Sequence, residues 1–535
     1  MKQKKLHLIY AGLAIVVSLC LLSFLQSRMN AIRVEYHLTD VDPLENAPPL
    51  VAFTSVALGG FRGLVGDWLW LRSSKMQDEG NYFEMVQLAK WIVKLQPRFT
   101  GSHAFLAWNM AYNISVTFTS FEDRWRWVKR GIELIRDEAL EFNPGDPELF
   151  RQLGWIYQHK MGKDLDDANR YYKTEFAKEM IRLFGDYYGQ WEKIQKAPLE
   201  ESKLRAVLEN KPDFWNILAA NGYKNFNEFE QDFRTQAIIP PKVAPALEEL
   251  GIRETVELCL RHRWMTKKYR LEPEWLITLN QRYGDLEWRL PEAHAIYWAE
   301  RGKDKWHSES DTFKRLSCDR MIFQSLNAAF QMGRLVYLKD IEHLEMTPNI
   351  GLVDAVDKSY ADALNFYEQS SVEGGYTNFL VDAVVTLYKF GEKTKAKEYI
   401  EKGRKLNPGR FKANLDEFVL KELAEDMQAA SYQQAQGTVQ SYLMQAYYQL
   451  AIDEHESAES YVTIARQLYD HYQKFVEGTE RRRGLPPWEQ MQRTTLAETK
   501  SRIPKPLAAR LEAILPQSGE KFIPKAGEIE APVVQ

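Results

Sequence analysis

Cysteine is nearly absent from this sequence. The 535-residue chain has three, Cys20, Cys259 and Cys318, too few for a disulfide-rich scaffold or a cysteine-based zinc knuckle. Cys259 and Cys318 are candidates to pair in an oxidising compartment, with buried free thiols as the alternative. An excess of charge of either sign is also missing. Lys and Arg number 70 against 74 Asp and Glu, for a net charge of −4, and no electrostatic footprint for nucleic acid is visible. The sequence contains no GxSxG, HExxH, P-loop or CxxC motif. No catalytic arrangement is therefore specified, no cofactor or metal is expected, and the chain reads as a non-enzyme. Asp164, Asp166 and Asp167 lack the glycine and distal glutamate of an EF-hand loop and read as a solvated turn.

The material for a large folded core is present: 45% of residues are hydrophobic and 27% charged. Fourteen of the 15 tryptophans lie between Trp68 and Trp306, with Trp488 apart, so the N-terminal two thirds must bury or present unusual aromatic area. At the amino terminus, MKQKK precedes a stretch from Leu6 to Leu25 that is uncharged with His7 neutral. Its 20 residues give a helix of roughly 30 Å, the thickness of a bilayer core. Lys2, Lys4 and Lys5 before it favour a cytoplasmic N-terminus, against Arg28 and Arg33 after it. The expectation is an uncleaved signal anchor in a bacterial inner membrane, with the bulk of the chain periplasmic. A cleaved signal would need a small-x-small site, and a lipidated Cys20 would need a small residue where Leu19 stands. A second apolar stretch, Leu50 to Leu71, is interrupted by Arg62 and Asp67. It reads as a helix capping the start of a helical array, with a membrane-dipping segment as the alternative.

A recurring frame organises the rest. In EGNYFEMVQLAKWIVKLQPRF, Gly80 can end one helix in a left-handed turn. Phe83, Val86, Leu88, Trp91, Ile92 and Leu95 then recur at helical spacing, and Pro97 ends the run. Gly391 and Pro408 repeat the 17-residue interval. Between them Ala396 and Gly403 lie seven residues apart on one face, as do Ala458 and Ala465 in SAESYVTIARQLY. Small residues at that step let helices approach closely. In PELFRQLGWIYQHK, Phe150, Leu153, Gly154 and Tyr157 fit the pattern W-x2-L-G-x2-Y with Phe in place of Trp.

These features resemble the tetratricopeptide repeat, a helix–turn–helix of about 34 residues. Matching units begin near Gly66, Asp146, Thr377 and Val439, with a less regular one around 351–372. FRGLVGDWLWLR, AWNMAYNISV and YGDLEWRLPEAHAIYWAERG are also similar to segments of uncharacterised membrane-anchored TPR-like proteins of bacterial envelopes. The resemblance implies an all-α, TPR-like helical-hairpin solenoid with an N-terminal transmembrane helix. Residues 1–28 form the cytoplasmic tip and anchor, 29–49 a linker, and 50–185 a first array. Pro240-Pro241 breaks the irregular helical insertion 186–290. A second array spans 291–477, a Pro/Arg-rich loop with a terminal helix spans 478–515, and the tail 516–535 has a disordered composition.

The function implied is a periplasm-facing scaffold that binds a protein or peptide partner in an envelope, secretion or transport complex. Candidate contact residues come from two stretches. In FEDRWRWVKRGIELIRDEAL, Arg124, Arg126, Lys129 and Arg130 interleave with Trp125 and Trp127. Cation–π recognition is one reading, and tryptophan packing beneath snorkelling arginines is the favoured one. Tyr157, His294 and Tyr297 form the other set. His294, in PEAHAIYWAERG, shares a helical face with Tyr297 and Trp298. An envelope enzyme or glycan-binding site around His294 is the alternative function, and a cytoplasm-facing TPR scaffold is the third.

Overall fold

A computed structural model describes residues 61–515, apart from 97–98, 164, 212, 307–311, 342, 368–369, 425–431 and 478–483, and a few isolated positions between 17 and 32. Most of the stretch Leu6–Leu25 expected to be an anchor, the segment 50–60, Pro97, Asp164, Arg481–Arg483 and the tail from 516 lie outside the described residues. Among the described residues, no helix is long and apolar enough to cross a membrane. The protein is mostly helical. It divides into two compact units after Gln152, whereas the sequence pattern closes its first array at 185.

In the first unit the described residues from 61 form a helical hairpin, Phe61–Asp78 and Tyr82–Leu95. Gly80 makes the turn at φ +76°, a conformation that costs glycine nothing and an L-residue strain. Two further helices, Thr100–Trp108 and Phe121–Glu133, come next. Ser120 caps the second by accepting a hydrogen bond from the Asp123 amide at 3.3 Å. These helices cross closely at Gly131, where a Cβ would sit 2.8 Å from the Ala107 carbonyl oxygen.

In the second unit, Gly154 does the same for distant helices. A Cβ there would lie 2.7 Å from Met321 Sδ and 3.2 Å from the Ala295 carbonyl. The helix Pro291–Lys303 thus packs against residues about 140 positions upstream. Residues 186–290 intervene as a series of short helices tied by buried arginines. Arg261 donates to the Leu183 carbonyl at 2.8 Å and the Ala237 carbonyl at 3.2 Å. Arg263 pairs with Glu230 at 2.7 Å. Cys259 is buried among them as a free thiol, and burial pushes its pKa up to about 12. Cys318 is likewise buried and outside any disulfide.

Towards the C-terminus two antiparallel helix pairs follow, Ser370–Lys389 with Lys393–Leu406 and Tyr432–Ala451 with His455–Glu477. Gly391 turns the first pair at φ +82°, and Asp453 takes the same left-handed region in the second at φ +72°. Ala396 and Gly403 are buried as expected. The reason at Gly403 differs from the expected close helix approach. The Phe411 ring folds back onto it, 2.6 Å from where a Cβ would be, and stacks on Phe418.

An antiparallel β-hairpin, Arg334–Leu338 with His343–Thr347, interrupts the helices and departs from a purely α expectation. Arg-Leu-Val-Tyr-Leu has the β-branched and aromatic content of a strand. Leu335 N–H donates to Glu287 at 3.2 Å, and Tyr448 donates to Glu345 at 2.6 Å. The hairpin therefore ties the end of the inserted region to the Tyr432–Ala451 helix.

Candidate functional site

The aromatic–basic helix Phe121–Glu133 has its charges satisfied within itself and its neighbours. Arg126 is exposed and pairs with Glu122 at 2.6 Å and Asp123 at 3.0 Å. Arg130 pairs with Glu138. Arg124 donates through Nε to the Phe118 carbonyl at 2.7 Å and lies over the Phe121 ring. Trp125 is buried. Trp127 is half-buried between Phe83 and Phe118, with ring centroids at 5.9 and 6.3 Å. Geometry thus gives both tryptophans packing roles and leaves Arg126 as the basic side chain on the surface.

Tyr157, His294 and Tyr297 come together, but in the interior. The chain bulges through a π-type turn at Ile156–Gly162, which directs Tyr157, Gln158 and Lys160 inward together. The Tyr157 ring lies 5.3 Å from His294, and Phe176 meets His294 edge-on at 4.7 Å. His294 Nε2–H donates to the Trp288 carbonyl at 2.9 Å, which fixes that nitrogen as the protonated one. Tyr297 donates to the Arg270 carbonyl at 2.9 Å and accepts from the Glu272 amide at 3.1 Å. Burial raises its pKa, so it stays protonated. All three residues are at most 1% exposed. Direct contact with a partner is therefore corrected to a role in holding the interior.

Two buried ion pairs flank this aromatic cluster. Lys173 Nζ lies 2.5 Å from Glu292 Oε1, and Lys160 Nζ lies 2.5 Å from Asp166 Oδ2. Tyr172 also donates to Asp166 at 3.1 Å. Burial alone would raise the Asp166 pKa. The Lys160 hydrogen bond and charge, with the Ala168 amide, outweigh that and lower it to about 2. Asp166 therefore turns its carboxylate inward as an anchor, from a turn in which Leu165 and Asp167 are exposed.

Among the sequence candidates Arg126 is exposed but ion-paired, and exposed aromatic area is found instead on the first helical hairpin. No family model and no curated protein matches the chain. Leu64, Trp68 and Leu71 recur at i, i+4 and i+7 along Phe61–Asp78, and Trp68 is 57% exposed. On the second helix Trp91 is 63% exposed, and Phe83 is exposed beside Trp127. The sequence pattern sets Phe83 and Trp91 on one broad apolar face with Val86 and Ile92, and assigns no face to Leu64, Trp68 and Leu71. Val86 and Ile92 of that run are buried whereas Phe83 and Trp91 are exposed, so the run does not form one covered face, and periodicity alone does not say which of its residues meet a neighbour.

Proposed function

We propose that this chain is a membrane-anchored, TPR-like helical scaffold that faces the periplasm and holds a protein or peptide partner beside the inner membrane. The observation that carries the reading is the exposure of aromatic side chains on both helices of the first hairpin, with Trp68 and Trp91 each more than half exposed. Exposed tryptophans cluster at binding surfaces because one side chain supplies a large, rigid apolar area. The hairpins with left-handed glycine turns support the repeat-like part of the proposal. The uncharged stretch Leu6–Leu25 supports the anchor. The alternative of a glycan-processing site around His294 gains nothing from the geometry, because that imidazole is enclosed and its Nε2–H is committed to a carbonyl.

The test is site-specific photo-crosslinking from position 68 and, separately, position 91 in intact membranes. A discrete protein adduct from either position is the expected result. Adducts to lipid alone would reassign the face to the bilayer surface, and no adduct from either position would sink the scaffold reading. Intact mass of the mature chain tests the anchor independently: a chain starting after residue 26 would remove it.

A further inference from the structure

A cavity of about 370 Å³ opens in the second unit between the helices Pro273–Tyr283, Pro291–Lys303, Thr312–Met332 and Val353–Tyr367. That volume lies in the range of small-molecule sites. Four cationic side chains line it, Arg282, Lys303, Arg315 and Lys358, with two carboxylates, Asp319 and Asp362.

The internal pairing leaves a remainder. Arg282 is held by Glu300 at 2.8 Å. Lys303 is held by Asp319 at 2.5 Å, and the other Asp319 oxygen accepts the Tyr367 hydroxyl at 2.5 Å. Arg315 and Lys358 have no ion-pair partner among the described residues. Arg315 Nε is moreover buried without a hydrogen-bond acceptor among them. A buried guanidinium N–H left without an acceptor is costly, and an arginine edge presents Nε and a terminal nitrogen as a fork matched to two oxygens of one anion. Ser359 adds a hydroxyl to the same wall, while Ile322 and Ala363 give it an apolar portion.

We infer that this cavity binds a small organic oxyanion, a phosphate ester or carboxylate, with Arg315 as the fork, Lys358 as the second charge and the apolar wall against the organic portion. The inference is independent of the scaffold function. Asp362 limits it to compact anions, since a larger negative group would meet that carboxylate.

Detergent-purified full-length protein is titrated calorimetrically with inorganic phosphate, phenyl phosphate and benzoate. The expected result is saturable binding of phenyl phosphate or benzoate below about 1 mM, tighter than inorganic phosphate because only the organic anions use the apolar wall. Preference between the first two separates phosphate from carboxylate as the recognised group. Replacing the exposed Lys358 (K358Q) is expected to weaken binding roughly tenfold, and adding R315Q to abolish it, with an unchanged melting temperature for K358Q. Absence of saturable binding by all three probes up to about 10 mM, or undiminished affinity in a folded K358Q protein, overturns the assignment.

Discussion

The hairpin 61–95 and the interior around His294 are both rich in tryptophan, and they use it in opposite ways. Trp288 and Trp298 are enclosed, with Trp288 donating its indole N–H to Asn280 at 3.0 Å and meeting Tyr297 edge-on. Trp68 and Trp91 stand in solvent. In the interior, aromatic rings fill space around charges that must be paired. On the hairpin, the rings are held out by a scaffold that does not need them for its own packing. Aromatic content therefore reports surface or core only after the neighbours of each ring are known.

The comparison breaks most sharply at the buried charges. Lys173→Met leaves the Glu292 carboxylate buried without its partner, and its second oxygen already lacks a hydrogen bond. A loss of about 3–5 kcal/mol is expected, largely recovered in the K173M/E292L double variant. Chemical unfolding of the two proteins checks this, and equal stability of both single and double variants would contradict it.

Next in size are the glycines. Gly154→Leu drives a side chain into Met321 and the Ala295 carbonyl, and Gly403→Leu into the Phe411 ring. Each is expected to cost about 1–3 kcal/mol. Phe411→Ala should relieve the second and not the first, so melting temperatures of the paired variants separate a helix–helix approach from a folded-back ring.

A smaller effect depends on pH. The Asp166 pKa is lower in the folded protein than the ordinary value near 4. Its contribution is therefore fully present above pH 4, declines as pH falls, and is gone below about pH 2. Asp166→Asn is expected to remove that acid-sensitive increment. Thermal unfolding of both proteins between pH 5 and about pH 2 checks it, and parallel curves would refute it.

Smallest of all is the effect of Trp68→Ser and Trp91→Ser on stability, expected within about 0.5 kcal/mol. A change of several kcal/mol in the melting analysis would mean that the hairpin does rely on these rings. Its likeness to a presented surface would then fail.

Helix positions are the most legible part of the sequence, because they come from short-range periodicity and from punctuation. Gly80 and Gly391 both occupy the left-handed turns that their places in the frame require. Asp453 fills a similar turn without being glycine, which a search for glycine alone passes over. The strand Arg334–Leu338 escapes such a reading because five residues between long helices carry too short a pattern. The pairing of Tyr157 with His294 is legible only as two separate aromatic motifs, since the contact spans 137 positions. The cavity charges are not legible at all: Arg282, Lys303, Arg315 and Lys358 come from four helices and form no local motif.

The enclosed thiol of Cys259 has a consequence for oxidative chemistry. Disulfide exchange and alkylation proceed through the thiolate. With its pKa pushed up to about 12, roughly one molecule in a hundred thousand would be ionised at neutral pH, and the sulfur is shielded as well. In an oxidising compartment the folded chain therefore has little tendency to acquire mixed disulfides at this position. In the unfolded chain that shielding is absent and the thiol has an ordinary pKa. Oxidant sensitivity at Cys259 thus belongs to the unfolded chain rather than to the finished protein.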